Sequence, residues 1–238
     1  VSVGCVLDPQ FINVGMLDYQ EALALQLATH AKVARGEQGP TLILVEHPSV
    51  ITMGKHADQI NLRFTEDYFR AKKVAVLRTD RGGEVTAHMP GQLVAYPIVK
   101  LADSKITPKR FVALLEEAVI KTLSRIGISA GCDPDYPGVW VENAKICALG
   151  VRIKDRTSMH GLALNVSNSL DLFGEIVPCG IPGRGVTTIS EMIARTIGTS
   201  MVRPILTEEL SRLLLPSRPW LYEPIACNSG KDSLEFKV

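Results

Sequence analysis

A chain of 238 residues that is 46% hydrophobic has enough apolar material for a sizeable core, in one large domain or two small ones. Lys plus Arg number 26 against 25 for Asp plus Glu, so no excess charge argues for nucleic acid or an anionic membrane as a partner. The five cysteines (Cys5, Cys132, Cys147, Cys179, Cys227) are widely spaced and include no Cys-x-x-Cys pair, which excludes the usual disulfide or zinc patterns and fits a reducing compartment. No apolar run long enough to span a membrane and no basic-then-apolar leader is present. The expected location is cytoplasmic, or the mitochondrial matrix if the source is eukaryotic, since the chain opens on Val1-Ser2 without methionine and a transit peptide would then have been lost.

Asp18 followed by Glu21 opens a helix in which Ala24, Leu27, Ala28, Ala31 and Ala34 recur at helical spacing, up to a stop near Gly36. Thr41-Leu-Ile-Leu-Val45 reads as a buried strand, residues 66–73 as a second helix and 74–77 as a strand again. Thr107 and Pro108 make an N-cap with proline at the first helical position, ahead of an apolar face of Phe111, Leu114, Leu115, Ala118, Val119 and Leu123 that ends near Gly127. Residues 139–141, 145–153 and 161–166 read as strands separated by polar turns, and helices are expected after Thr188 and Thr207. Strands both alternate with helices and run consecutively, so the fold class is α/β (α+β), a mixed β-sheet flanked by helices. Residues 1–215 are expected to form a single domain, with 216–238 as a proline-bearing tail.

The chemistry-bearing segment is Ile176-Val-Pro-Cys-Gly-Ile-Pro-Gly-Arg-Gly-Val186, too rich in Gly and Pro for the inside of a helix or strand. Cys179 there is either a small buried hydrophobe or a presented thiol. Arg184 and a capping box at Thr188 and Glu191, marking a helix start, would both favour the thiolate. Arg81-Gly-Gly-Glu-Val-Thr-Ala-His88 adds two glycines that admit close backbone approach, a fixed cation and a titratable ring, although a bare Gly-Gly is also an ordinary turn. Lys145 opens a strand whose period-two alternation puts Lys145, Cys147 and Leu149 on one face, with Ile146, Ala148 and Gly150 on the other. A desolvated Lys145 beside Cys179 could take and return a proton. Ala148, Gly150, Gly161 and Ala163 suit either close sheet packing or a narrow slot for an alkyl chain, and His160 is a second basic candidate nearby.

On Glu46-His-Pro, Arg81-Gly-Gly-Glu-Val-Thr-Ala-His, Pro90-Gly-Gln-Leu-Val, Pro137-Gly-Val-Trp-Val, Lys145-Ile-Cys-Ala-Leu-Gly, Met159-His-Gly-Leu-Ala-Leu-Asn and Val177-Pro-Cys-Gly-Ile, the chain resembles the lipoyl(octanoyl) transferases. The resemblance implies a fold shared with lipoate and biotin protein ligases, and movement of an octanoyl group from octanoyl-acyl carrier protein to a lysine of lipoyl domains. The acceptors it implies are the E2 subunits of 2-oxoacid dehydrogenases and the glycine cleavage H protein. Cys179 would carry the acyl thioester and Lys145 would be its partner. Acyl-binding contacts would fall on Arg81, Gly82, Gly83, Glu84, Val85, Thr86, Ala87 and His88, on Ala148, Leu149 and Gly150, and on Gly161, Leu162 and Ala163. No cofactor or metal is implied, because a thioester is already activated, and a monomer without nucleic-acid or membrane partners is expected. A ligase of the same fold would consume ATP and need no nucleophilic cysteine, and a non-catalytic binding module would need neither Cys179 nor Lys145. The family has Tyr before the histidine and Gly after it, where this chain has Ala87 and Met89; these departures are expected to lie at the pocket and to bear on acyl-chain preference more than on the reaction.

Overall fold

Capping groups legible in the sequence organise three helices of the computed structural model, which describes residues 7–102, 106–177 and 184–215. Asp18 accepts from the backbone N–H of Gln20 at 2.7 Å and starts α1 (Tyr19–Arg35), which stops at Gly36 in the left-handed region at φ 73°. Thr107 accepts from Arg110 N–H at 3.2 Å ahead of α3 (Pro108–Arg125). Thr188 and Glu191 close a reciprocal capping box on α5 (Ile189–Met192), but that helix is a single turn. The other helices are α2 (Glu66–Ala71), α4 (Asp171–Gly174) and α6 (Thr199–Leu214). The sequence placed the last of these after Thr207; it starts at Thr199, takes Pro204 into its body, and turns the Thr207 hydroxyl back onto the Arg203 carbonyl at 2.8 Å.

The described residues form eleven strands: β1 (Gln10–Met16), β2 (Thr41–Glu46), β3 (Val50–Met53), β4 (Ala75–Arg78), β5 (Val85–His88), β6 (Gln92–Ile98), β7 (Gly131–Cys132), β8 (Val139–Val141), β9 (Ala144–Lys154), β10 (Thr157–Asn165) and β11 (Gly185–Val186). The large sheet runs β1-β2-β6-β10-β9-β8-β7, with β11 pairing β9, and it is mixed because β1 lies parallel to β2 and β11 parallel to β9. A small sheet, β4-β3-β5, stands beside it. The Gly82-Gly83 segment therefore does not close a hairpin: β4 and β5 both pair with β3, on opposite edges.

Helices α3 and α6 cover one face of the large sheet, where Phe111, Leu115, Ala118, Val119 and Leu123 of α3 are fully buried, the face read from the sequence. Full burial of each large apolar side chain contributes about 1.5–3 kcal/mol. Helix α1 covers the other face, but not with the stripe its alanines suggested. Leu27 is 49% exposed, while Ala22, Gln26, Thr29, His30 and Val33 are buried. The polar members are buried because the sheet uses them: Gln26 Oε1 accepts from His160 N–H at 2.9 Å, and His30 Nε2 lies 3.1 Å from the Lys154 carbonyl oxygen. A third cluster, with Ile51, Met53, Phe69, Val85, Ala87, Met89 and Phe173, closes the small sheet. Among the described residues no helix is long and apolar enough to cross a membrane.

Candidate active site

Between the small sheet and β9–β10 lies a cavity of about 370 Å³. Antiparallel pairing sets Ala148 of β9 opposite Ala163 of β10, and Gly150 opposite Gly161, so four small residues share one floor. Their smallness has two causes. A Cβ on Gly161 would come 2.1 Å from the Ala95 carbonyl oxygen of β6, whereas one on Gly150 would come within 3.0 Å of Arg81 Cδ and the Gly82 carbonyl oxygen. The residues from Arg81 to His88, Ala87 excepted, form the facing wall; Lys145, Leu149, His160 and Leu162 also reach the cavity. Ala87 points the other way because β5 alternates, and with Met89 it packs into the apolar cluster of the small sheet. The two departures noted in the sequence therefore lie outside the pocket.

Lys145 is 7% exposed, and its Nζ donates to the Pro137 carbonyl at 3.1 Å and sits 4.7 Å from the Trp140 ring centroid. Strict alternation does not hold around it. Val139 pairs with Cys147 but Trp140 pairs with Lys145, so β9 bulges at this point and the faces change over. Lys145 and Ala148 consequently line the cavity together, while Cys147 is fully buried in the main core, where burial pushes its thiol far up. Cys147 and Lys145 do not share a face, contrary to the alternation. Cys179 lies outside the described residues. The segment leaving its loop runs beside the lysine: Val186 pairs with Lys145, and Thr187 N–H donates to the Lys145 carbonyl at 3.1 Å. Arg184 is ion-paired with Asp133 and stacks 4.8 Å from Trp140 and 5.3 Å from Tyr136, so its charge already has a carboxylate partner.

The wall is held by hydrogen bonds. The Arg81 guanidinium donates to the Thr52 carbonyl at 2.6 Å, to Thr52 Oγ1 at 3.0 and 3.2 Å, to the Glu84 carbonyl at 2.8 Å and to the Gly82 carbonyl at 3.0 Å. His88 is neutral: burial, then the nearby His47, pushes its pKa down to about 3. Its Nδ1–H donates to Gln92 Oε1 at 2.8 Å and Nε2 accepts from the Thr52 hydroxyl at 3.3 Å; Gln92 in turn donates to Asn165 at 2.8 Å, and Asn165 to the Thr187 carbonyl at 3.1 Å. His47 Nδ1–H donates to the Leu17 carbonyl at 2.7 Å, which leaves Nε2 to accept from the Tyr96 hydroxyl at 2.8 Å. Tyr19 stacks on His88 with ring centroids 5.9 Å apart. Among the described residues no group of three or more His, Cys, Asp or Glu is arranged to hold a metal ion.

The model of the lipoyl protein ligase A/B catalytic domain matches residues 18–211 of the chain. The octanoyltransferase of Alkaliphilus metalliredigens is 48% identical over 183 residues, covering 76% of this chain and 84% of that one. The chain belongs to the octanoyltransferase family. The family's member from Caldicellulosiruptor bescii is 44% identical over 191 residues, 78% of this chain and 84% of that one. In fold the chain matches lipoate-protein ligase A bound with ATP, at a TM-score of 0.74 and 17% identity over 87% of this chain and 86% of that one. The biotin protein ligase of Aquifex aeolicus in complex with biotin and ATP is more distant, at a TM-score of 0.52 and 13% identity over 87% of this chain and 70% of that one.

Within this octanoyltransferase fold, sequence reading did not single out Tyr19, Tyr96, Val94, Val112, Tyr136 and Val151, all of which reach the cavity. Tyr96 alone carried a signal, as an aromatic inside the buried run of β6; Val94 and Val151 are ordinary strand valines, Tyr19 and Val112 lie in the first turns of α1 and α3, and Tyr136 precedes β8, none with a local mark.

Proposed function

We propose that the protein transfers an octanoyl group from octanoyl-acyl carrier protein to a lysine of lipoyl domains, those of 2-oxoacid dehydrogenase E2 subunits and the glycine cleavage H protein, in two steps through a thioester on Cys179. The supporting observation is Lys145, a buried amine at the boundary of a cavity with an alkyl-sized floor, paired through β11 with the segment that leaves the Cys179 loop. In the first step Lys145 takes the Cys179 proton, the thiolate attacks the donor's thioester carbonyl, and the donor thiolate leaves with the proton returned by Lys145. In the second, the neutral amine of the acceptor lysine attacks the enzyme thioester. A C–N bond forms, the C–S bond to Cys179 breaks, and the amine proton passes by way of Lys145 to the departing sulfur. The Pro137 carbonyl and the Trp140 face hold the Lys145 amine in one direction, which is the positioning such a transfer requires. Arg81, Gly82, Gly83, Glu84, Val85, Thr86 and His88 form the wall against which the chain lies, and Ala148, Gly150, Gly161 and Ala163 its floor, with Leu149 and Leu162 at the sides.

Intact mass of the protein mixed with octanoyl-acyl carrier protein, without ATP, should rise by one octanoyl group, and peptide mapping should place the adduct on Cys179. Subsequent addition of a lipoyl domain should return the protein to its starting mass. A product that forms only with ATP and free octanoate would sink the reading.

A further inference from the structure

A peptide group that holds the Lys145 amine is itself held from behind. Pro137 contributes the carbonyl that accepts from Lys145 Nζ at 3.1 Å, and Gly138 contributes the N–H of the same peptide, which donates to Glu116 Oε1 at 3.0 Å. Carboxylate, peptide and amine thus form one chain. A charge-assisted bond on the N–H side of an amide draws negative charge onto its oxygen, so the carbonyl becomes a stronger acceptor for an ammonium. Glu116 reaches this place because it follows Val112, which lines the cavity, by one turn of α3.

The loop is shaped for the contact. Gly138 lies at φ 135°, where a side chain is strained, and a Cβ on it would meet the Cys147 carbonyl oxygen at 2.7 Å and Lys145 Cε at 3.2 Å. Its missing side chain lets the peptide lie against the lysine stem. Asp133 fixes the other end of the loop, accepting from the N–H groups of Asp135 and Tyr136 at 2.9 and 3.2 Å, but its second oxygen is ion-paired with Arg184. Glu116 alone bonds to the peptide that faces the amine. It also faces Cys132, whose thiol is pushed up to about 11 by burial and then by this carboxylate.

We propose that Glu116 is a positioning residue for acyl transfer, acting on Lys145 through the peptide between Pro137 and Gly138. This rests on the acyl-transfer reading above, in which Lys145 becomes an ammonium in both steps. The ammonium forms on a buried side chain, and the carbonyl that receives it is aimed and polarised by Glu116. Without that carboxylate the peptide loses its outer anchor and the amine its direction. Glu116 is not among the described residues that line the cavity, so the cost falls on turnover and not on substrate binding.

The test measures single-turnover acylation from octanoyl-acyl carrier protein and steady-state transfer to a lipoyl domain, with urea unfolding as the check on folding. Glu116→Ala should lower kcat about tenfold to a hundredfold with KM for the donor nearly unchanged. Glu116→Gln, whose amide oxygen also accepts from the Gly138 N–H, should recover most of that loss. Cys132→Ser, at the carboxylate's other neighbour, should turn over like wild type. The deciding comparison is Lys145→Ala with and without Glu116→Ala: a residue that works through the lysine slows the reaction no further once the lysine is gone. If Glu116→Ala does not fold, Glu116→Gln carries the same comparison, because it too should add nothing to Lys145→Ala. Losses that multiply, a raised KM at unchanged kcat, a Glu116→Gln as slow as Glu116→Ala, or wild-type turnover in Glu116→Ala would each overturn the positioning role alone. Absence of octanoyl transfer in the wild-type chain would overturn the acyl-transfer reading and this role with it.

Discussion

The wall and the floor of the cavity look alike in sequence, each made of short runs with glycine and one or two basic residues, yet they are built on different principles. The wall is polar and spends its polar groups on itself: Arg81 clamps β3 to the loop before β5, and His88 is locked between Thr52 and Gln92. The floor is apolar and shaped by omission, with two alanines and two glycines opposite one another. Charged residues at a pocket are thus not automatically its ligands. Here the fixed cation shapes the site, and the floor strand contributes a buried amine at the cavity. Changes to the wall should therefore appear mainly as lost stability, and changes to the floor as altered turnover or selectivity.

The sharpest test of that division is Lys145, the floor's amine. Lys145→Ala should lower the rate of both half-reactions by about 10²–10⁴, and Lys145→Arg should be nearly as inactive, because a guanidinium keeps the charge but cannot accept a proton at neutral pH. Single-turnover acylation and transfer to a lipoyl domain, followed separately, check this; an arginine variant matching wild type in both would remove the proton-transfer role. On the wall, Arg81→Ala takes the guanidinium from the Thr52 carbonyl and hydroxyl and from the Glu84 carbonyl, which keeps its bond from the Gly54 N–H, and unfolding in urea should show a loss of about 2 kcal/mol. A variant that folds with wild-type stability but binds donor poorly would reverse the assignment of Arg81 from shape to substrate.

Gly161 breaks the division from the floor's side. Its missing Cβ makes room for the Ala95 carbonyl, so Gly161→Ala should cost about 1–3 kcal/mol of stability by overpacking before it alters any acyl preference. The cavity's histidines, His88 on the wall and His160 on β10, give a pH signature. His88 is held at about 3 and His160 at about 4, below the value of 6.5 for the unfolded chain. Between those limits the unfolded state binds more protons than the native state, so stability falls as pH drops below about 6.5. Each ring contributes a slope of up to about 1.4 kcal/mol per pH unit. In His88→Gln the slope of unfolding free energy measured between pH 6 and pH 4.5 should be smaller by about that amount. The smallest effect belongs to Ala163→Val, which adds bulk to a floor position that already carries a Cβ. It should displace about one methylene of substrate, about 0.8 kcal/mol, and shift the chain-length profile toward shorter donors with stability nearly unchanged.

What the sequence determined by itself is what short-range chemistry decides. An N-cap oxygen reaches an N–H two or three residues away, so Asp18, Thr107 and Thr188 fix their helix starts wherever the chain goes. The apolar stripe of α3 and the ordered motifs that carry the family are equally local. Tertiary structure alone decided whatever depends on a partner distant in sequence. The polar residues of α1 are buried because β9 and β10 offer an N–H and a carbonyl to them, and no hydrophobic period could announce that. The bulge that puts Lys145 beside Ala148, and sends Cys147 into the core, is a mismatch between two strands, visible only once β8 is paired with β9. Alternation separates Ala87 from His88, but which face of β5 meets the cavity is decided by packing, which turns Ala87 and Met89 into the apolar cluster of the small sheet. The hydrogen on His160 sits at Nε2 because the Asp80 carboxylate, itself ion-paired with Arg152, accepts from it, and both partners come from other segments of the chain. A proton's position is set by the groups around it, and those groups come together only in the folded chain.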